Sequence, residues 1–205
     1  MTHSLHRSGD IESQKKDFVW LMYPKKGLND KNCKDKALEF IAMAETVGSE
    51  NWGDVKTGPV LKVPAAEIKR KLTDKSRVRG VFTKREQVIA FLKQAKAKDM
   101  GLSVIISGVL SEIIPCCQAA GVTPHSINYS LGVWGKKELL PDETTLAMTT
   151  MCGHHMISPK FVQYVRDQVK AKRLTPEAGA LQLATFCYCG IFNQVRCADI
   201  LRKEK

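Results

Sequence analysis

The sequence predicts an α/β protein: a small, mostly parallel sheet with flanking helices, followed by a helical, cysteine-rich subdomain. Short apolar runs alternate with segments of helical apolar spacing over residues 17–138, an order typical of a parallel sheet. From residue 139 onward only helical patterns occur, and four of the seven cysteines lie there. These observations divide the chain into a loose polar segment at 1–16, an α/β domain at 17–138 and a helical metal-site subdomain at 139–205.

The strands are predicted from short runs rich in apolar, aromatic and β-branched residues. The first is the run at 17–24, which a proline ends. The others are predicted at 60–63, 78–82, 102–107 and 125–134. Apolar residues at helical spacing place helices between them at 34–47, 65–72, 83–98 and 109–121.

Residues 102–134 carry the argument for parallel strands. A buried-type strand ends at Ser107, and Gly108 leads into a short helix before the next alternating run. A strand, a helix and a strand joined by short links form a β–α–β unit, and its two strands run parallel. Ligands collect beyond the carboxyl ends of such strands. Ser107, Gly108 and Ser111 are therefore the candidate cofactor-binding residues, since free amides at a helix start can hold an anion.

Residues typical of helix N-termini predict four helices in the C-terminal part. A helix opens near Pro141, and two more open at Ser158 and Thr175, each of which is followed by proline. A fourth runs from Asn193. Cys152, Cys187 and Cys189 fall at or beside the ends of these helices, whereas Cys197 lies within the fourth.

The N-terminus has no apolar stretch of the kind found in secretory signals, and no apolar run approaches the ~20 residues that span a bilayer. These features predict a cytoplasmic protein with no membrane partner. Thiols in the cytosol stay reduced, so the cysteines are expected to be metal ligands, nucleophiles or buried small residues rather than disulfides.

Positive charge is concentrated between residues 56 and 85. The chain has a formal net charge of +11, and this segment alone holds ten basic and two acidic residues. Such a segment fits a nucleic acid, an acidic partner protein, a small anionic substrate or simply a solvated face. It contains one aromatic residue, Phe82, so it lacks a stacking platform for single strands. Nucleic acid therefore ranks below a small anionic substrate.

The cysteines of the C-terminal part predict a metal site, most directly a [4Fe-4S] cluster. Cys152, Cys187 and Cys189 sit at helix ends, and a glycine directly follows Cys152 and Cys189. Unpaired amides at helix ends favour an anionic cluster, and glycine lets the backbone approach it. Cys197 is the fourth candidate ligand. Three cysteine ligands leave one iron open to substrate, whereas four leave only electron transfer.

Two neighbouring histidines complete the candidate site. His154 and His155 are the candidate catalytic residues, because a histidine beside an open iron can shuttle a proton. Zinc is the alternative metal, held by Cys152, Cys187, Cys189 and one of the two histidines. Without a metal, the cysteines are buried small residues with one catalytic thiol among them.

The motifs Cys-Gly-His-His-Met at 152–156 and Cys-Tyr-Cys-Gly-Ile-Phe-Asn at 187–193 resemble those of a family of cysteine-motif proteins from anaerobic microbes. The stretches Thr-His-Ser-Leu-His-Arg at 2–7 and Pro-His-Ser-Ile-Asn-Tyr-Ser-Leu-Gly at 124–132 extend the resemblance over most of the chain. The resemblance implies an oxygen-sensitive metal centre and transfers no catalytic residue.

The leading hypothesis is an iron–sulfur enzyme of the lyase, dehydratase or desulfurising type. Its open iron would act on a small anionic substrate drawn in by the basic surface. One alternative is an accessory protein that carries a cluster or electrons to a partner enzyme or redox protein. Another is a zinc-stapled basic module that binds nucleic acid through residues 69–85. A homo-oligomer is compatible with each of them.

Overall fold

The computed structural model describes residues 4–204. Within them the strands are β1 (Phe18–Tyr23), β2 (Asn51–Asp54), β3 (Gly58–Pro59), β4 (Val78–Phe82) and β5 (Ser103–Ser107). They form one sheet in the order β3-β2-β4-β1-β5, and each neighbouring pair is antiparallel. The three long apolar runs of the α/β part thus form strands, whereas the run at 60–63 lies just beyond the two-residue β3.

The helices of the first half are α1 (Ile11–Gln14), α2 (Cys33–Thr46), α3 (Ala65–Lys71), α4 (Arg85–Lys98) and α5 (Leu110–Ala119). Those of the C-terminal part are α6 (Glu143–Thr149), α7 (Pro159–Lys170), α8 (Pro176–Ala184) and α9 (Gln194–Arg202). Each of these last four begins after a side-chain cap that accepts a backbone N–H hydrogen bond. The four capping residues are Asp142, Ser158, Thr175 and Asn193.

The predicted mostly parallel sheet is wrong, because both strand–helix–strand crossovers skip one position in the sheet. The crossover through α2 leads from β1 to β2, and β4 lies between these two strands. The crossover through α4 leads from β4 to β5, and β1 lies between them. This split β–α–β arrangement makes every adjacent pair antiparallel. The prediction assumed that strands adjacent in sequence are also adjacent in space.

The strand predicted at 125–134 does not form within the described chain. Residues 123–140 are all exposed, and their only regular structure is a 3₁₀ turn at Lys137–Leu139. The β–α–β unit predicted from residues 102–134 therefore lacks its second strand.

Two hydrophobic cores share the sheet, one on each face. Phe18, Trp20 and Met22 of β1 face α2, α4 and α5. Val19 of β1 and Val81 of β4 face the C-terminal helices. Successive residues of a strand point to opposite faces, so the continuous apolar run of β1 serves both cores. The C-terminal helices thereby hold their cysteines against the second face.

A buried ionic cluster joins the N-terminal segment and α9 to the start of β1. Asp17 Oδ2 lies 2.6 Å from Arg7 Nη1 and 2.7 Å from Arg196 Nη1, and all three side chains are buried. Residues 1–3 of the segment predicted to be loose lie outside the described residues. None of the helices in residues 4–204 has the length and apolar character that crossing a membrane requires.

Candidate functional site

Two segments meet on the sheet face that the C-terminal helices cover. One is the loop after α6, in which Met151, Cys152 and Ile157 are buried. The other is the turn after α8, which contains Cys187 and Cys189. The three cysteine side chains are fully buried. We call Cys152, Cys187 and Cys189 the thiol cluster.

Contacts with β2 fix the turn that carries two of these thiols. Gly190 has a φ of +78°, and a Cβ at this position would lie 2.3 Å from the backbone carbon of Trp52. Only glycine therefore lets the turn approach β2 this closely. Asn51 Nδ2 of β2 donates a hydrogen bond of 3.1 Å to the carbonyl of Phe192. The turn thus lies against the sheet before α9 begins.

The thiol cluster forms a continuous chain of contacts that ends at His154. Cys152 and Cys187 lie close enough for each thiol to shift the pKa of the other. The Sγ atoms of Cys187 and Cys189 are 3.8 Å apart. His154 Nδ1 lies 3.5 Å from Cys189 Sγ, although the two residues are 35 positions apart in sequence. The chain of contacts therefore joins the loop after α6 to the turn after α8.

Backbone amides near the three sulfurs favour their thiolate forms. The amides of Met156 and His154 each lower the pKa of the Cys152 thiol, against the larger effects that raise it. The N–H of Ile191 does the same for Cys187 and Cys189. Amide donors of this kind stabilise anionic thiolates and recur around metal–thiolate centres.

Of the three thiols, Cys189 alone has a pKa below the ordinary value of a cysteine. Donation by the Cys187 thiol lowers the pKa of Cys189, and the charge of Arg79 lowers it further against the effect of burial. The contact with Cys187, together with burial, raises the pKa of Cys152. The hydrogen bond from Cys152 lowers the pKa of Cys187, but the contact with Cys189 and burial outweigh it and raise it to about 12. The thiolate is thus favoured next to the imidazole of His154.

Two of the separations match the edges of a single tetrahedral ion site. Zinc–sulfur bonds of about 2.3 Å and zinc–nitrogen bonds of about 2.0–2.1 Å imply edges of about 3.8 Å between sulfurs and about 3.5 Å between sulfur and nitrogen. As they stand, however, residues 4–204 contain no group of three or more His, Cys, Asp and Glu side chains arranged to hold a metal ion. Binding an ion therefore requires side chains of the cluster or of His154 to shift.

The other predicted ligands and catalytic residues lie outside this chain of contacts. Cys197 is fully buried in α9, where burial raises the pKa of its thiol against the opposing charge of Arg196. None of the three clustered thiols contributes to that shift. His155 is exposed and has a φ of +54°, and the described contacts of the cluster involve His154 instead.

The predicted cofactor-binding residues lie elsewhere, along the edge of the sheet. Ser107 and Gly108 line a groove of about 870 Å³, whereas Ser111 is exposed on α5 and does not line it. Ser107 Oγ is 2.8 Å from Ser4 Oγ, and a Cβ on Gly108 would approach the carbonyl of Asp17 to 3.2 Å. These residues pack the N-terminal segment against β5, and no residue of the thiol cluster lines the groove.

A set of aromatic residues was not among the predicted site residues, and one of them adjoins the basic segment. Lys62 Nζ lies 5.8 Å from the ring centroid of Tyr188. In the sequence, Tyr188 stands between Cys187 and Cys189. Phe186 packs edge-to-face against Phe161, with 5.1 Å between ring centroids, and Phe161 stacks on Tyr164. The side chains of Tyr164, Phe186 and Tyr188 are about half exposed. Phe186 and Tyr188 flank Cys187 in the sequence, and that was the available signal.

Many basic side chains near these aromatics are not neutralised. Among the ten basic residues at 56–85, the structure gives salt bridges to Lys69, Lys71 and Arg85. Arg79 is buried next to the thiol cluster. The described residues offer no salt bridge to the six others, which are Lys56, Lys62, Arg70, Lys75, Arg77 and Lys84. Of these six, Lys62 lies over the exposed ring of Tyr188, so a cation and an aromatic ring adjoin beside the cluster.

The chain matches no protein-family model, no curated protein and no solved structure. What it does must therefore be inferred from the geometry of the thiol cluster and the surface around it.

Proposed function

We propose that the chain binds one thiophilic metal ion, zinc in the first place, through Cys152, Cys187, Cys189 and His154. The observation that carries this proposal is the meeting of two buried sulfurs and an imidazole: Cys189 Sγ lies 3.8 Å from Cys187 Sγ and 3.5 Å from His154 Nδ1. Sulfur and nitrogen ligands at these separations are what a single tetrahedral zinc ion requires. A bound positive ion would also offset the repulsion between neighbouring buried thiolates.

The spacing of the sulfurs favours one ion over a four-iron cluster. In a four-iron cluster the cysteines ligate different irons, so the whole cluster separates their sulfurs. The 3.8 Å between Cys187 and Cys189 instead fits two thiolates that share one ion. An iron–sulfur enzyme acting on a small anionic substrate, or a cluster carrier, would require these sulfurs to move apart. Both stay as alternatives for the same experiment.

The ion would act as a staple between two distant segments. It would join the loop after α6 to the turn after α8, and both segments pack against the sheet. Structural zinc sites close their coordination with protein ligands and contribute directly to folding. His154 is exposed, so it is the ligand that a solution molecule would displace first.

Metal analysis of the full chain, purified without oxygen or chelator, tests the proposal. We expect one zinc per wild-type chain in colourless protein. Cys189→Ser and Cys152→Ser should lose most of the metal, because each removes one of three thiolates. Cys33→Ala is the matched control: Cys33 is also fully buried, but it lies in α2 within the other core. Metal-free wild type, or equal loss in the Cys33 variant, would remove the proposal.

A second candidate function is binding of single-stranded nucleic acid to the surface beside the staple. The observation that favours it is the exposed Tyr188 packed under Lys62, next to a segment with six unneutralised basic residues. Bases stack on aromatic rings while cations hold the phosphates, and each stacked base contributes about 1–3 kcal/mol. The aromatic platform that the basic segment lacks in sequence is thus supplied by the C-terminal part.

Fluorescence anisotropy with a labelled oligothymidine tests this second candidate. Affinity should fall steeply as salt rises, since phosphate contacts release counterions. Tyr188→Ala and Lys62→Ala should each weaken binding at low salt. Lys26→Ala removes one charge in the loop after β1 and should leave affinity within about twofold. Absent or salt-insensitive binding excludes this function.

A further inference from the structure

A long apolar segment of the chain is left uncovered. Residues 123–140, which we call the arm, connect α5 to α6 and are exposed along their whole length. Seven of their large apolar side chains are between 42% and 83% exposed. They are Ile127, Tyr129, Leu131, Val133, Trp134, Leu139 and Leu140. Contiguous exposed apolar surface of this extent marks an interaction site.

The arm has the sequence pattern of a strand but no strand partner. Apolar residues at 127, 129, 131 and 133 alternate with polar residues or glycine at 128, 130 and 132. This period of two is typical of a strand with one buried face. Within residues 4–204 none of the five strands pairs with the arm. The alternating segment thus has no sheet partner among the described residues.

The sheet has an exposed edge strand, β5, with which a segment such as the arm could pair. β5 is the last strand of the sheet and pairs only with β1 among the described strands. The 870 Å³ groove follows β5, because its lining includes each residue from Leu102 to Leu110. Ile113 of α5 and Leu5 of the N-terminal segment line it from the two sides. An edge strand with unpaired backbone groups is a template for an added strand.

The arm of the same molecule borders this groove without filling it. Residues 123–130 form part of the lining, and His6 Nδ1 lies 3.2 Å from Ser130 Oγ. No arm residue beyond Ser130 lines the groove. The distal arm, residues 131–140, is therefore available to a neighbour while the proximal arm serves as a wall.

The apolar area of the arm is enough for a stable dimer. Exposed fractions of 42–83% on seven large side chains amount to roughly 900 Å² per chain, close to the ~800 Å² that each partner contributes to a standard interface. A twofold dimer would use this area on both chains, since each copy supplies one arm and one groove.

We propose that the chain forms a twofold dimer in which the distal arm of each copy lies along β5 of its partner. Leu131 and Val133 enter the partner's groove, Trp134 packs against the partner from the opposite face of the added strand, and the backbone of the arm pairs with the open edge of β5. Ile127 and Tyr129 of the groove wall are covered by the incoming arm. A second copy is favoured over a lipid surface, because a lipid surface cannot satisfy the backbone edge of a strand.

Sedimentation velocity of the full chain over a wide concentration range tests the proposal. We expect a species of twice the chain mass of 22.9 kDa. Leu131→Asp and Trp134→Asp should each raise the dissociation constant about thirtyfold or more. Ile105→Lys changes a residue of β5 that lines the groove, and it should do the same from the other side of the interface. Leu28→Asp alters an equally exposed leucine outside the arm and should leave the dimer intact.

Mixing an arm variant with the groove variant gives an internal check. Each is monomeric alone, but the intact arm of one and the intact groove of the other should form a heterodimer. Far-UV circular dichroism and metal content, unchanged in both variants, show that folding and the metal site are preserved. The groove contains no residue of the thiol cluster, so loss of the dimer and loss of the metal are separable results.

Three outcomes would overturn the proposal. The first is wild-type protein that stays monomeric at every concentration. The second is a dimer that survives the arm and groove variants alike. The third is a monomer that co-sediments with phosphatidylcholine–phosphatidylglycerol vesicles and loses this binding in Trp134→Asp, because that result would assign the arm to a membrane surface.

Discussion

Gly190 shows how closely the thiol cluster depends on a single residue. Its φ of +78° disfavours a side chain, and the 2.3 Å that would separate a Cβ from the backbone carbon of Trp52 excludes one. A larger residue would push the turn away from β2, and Cys187 and Cys189 would move with it. The same glycine therefore fixes both the backbone turn and the position of two sulfurs.

Replacing Gly190 by alanine should cost more stability than the same change at Gly27. Gly27 also has a φ of +78°, but a Cβ there would meet nothing within 4 Å. Gly27→Ala thus measures the backbone strain alone, about 1–2 kcal/mol. Gly190→Ala should exceed it by about 2 kcal/mol or more, because the contact with β2 is also lost. Urea unfolding of both variants measures the difference. Equal losses would mean that the contact contributes nothing.

Residue types and spacing were informative about the thiol cluster but silent about its geometry. The two Cys-Gly pairs indicated a close backbone approach, and at Gly190 that approach is to Trp52 of β2. Which histidine faces a thiol was left open between His154 and His155. The choice follows from the turn after Cys152, where His155 takes the left-handed conformation and His154 faces Cys189. Such tertiary details leave no periodic trace in a sequence.

At the scale of elements, one carboxylate joins three parts of the fold. Asp17 precedes β1 and pairs with Arg7 of the N-terminal segment and Arg196 of α9. Asn193, the cap of α9, also donates to Asp17 through Nδ2. A buried charge is tolerated only when it is paired and hydrogen-bonded. The position of α9, and of the turn before it, thus depends on Asp17.

Asp17→Asn should destabilise the protein by about 3–5 kcal/mol, because it leaves two buried guanidinium groups without their anion. Glu45→Gln is the control, since it removes the surface ion pair with Lys69, which is worth about 0–1 kcal/mol. Thermal and urea unfolding of the two variants measure both effects. A small loss at Asp17, similar to that at Glu45, would show that the cluster is dispensable.

The sequence located most strands but not their neighbours. Apolar runs identified β1, β4 and β5 within about a residue, because burial leaves a local pattern. The order of strands in the sheet depends on which strand–helix–strand connections pass over an intervening strand. A local pattern of apolar residues carries no information about this. The alternation at 125–134 predicted a strand that the chain does not pair by itself. Under the dimer proposal, the distal part of that run gains its partner in a second molecule.

At the scale of the whole molecule, the sheet separates three features. The thiol cluster lies on one face, the larger aromatic core lies on the other, and the groove follows the open edge at β5. The basic segment, residues 56–85, runs through β3, α3 and β4, and its Lys62 lies over the ring of Tyr188 beside the cluster. Substitutions can therefore alter metal binding, anion binding or self-association one at a time.

The most direct test of the central claim is X-ray absorption at the metal edge of the full chain, purified without oxygen. One zinc per chain, with three sulfur neighbours at about 2.3 Å and one nitrogen at about 2.0–2.1 Å, is the result that the thiol cluster and His154 predict. A metal–metal distance in brown, iron-containing protein would show a cluster instead of a single ion. Protein without stoichiometric metal would contradict the account altogether.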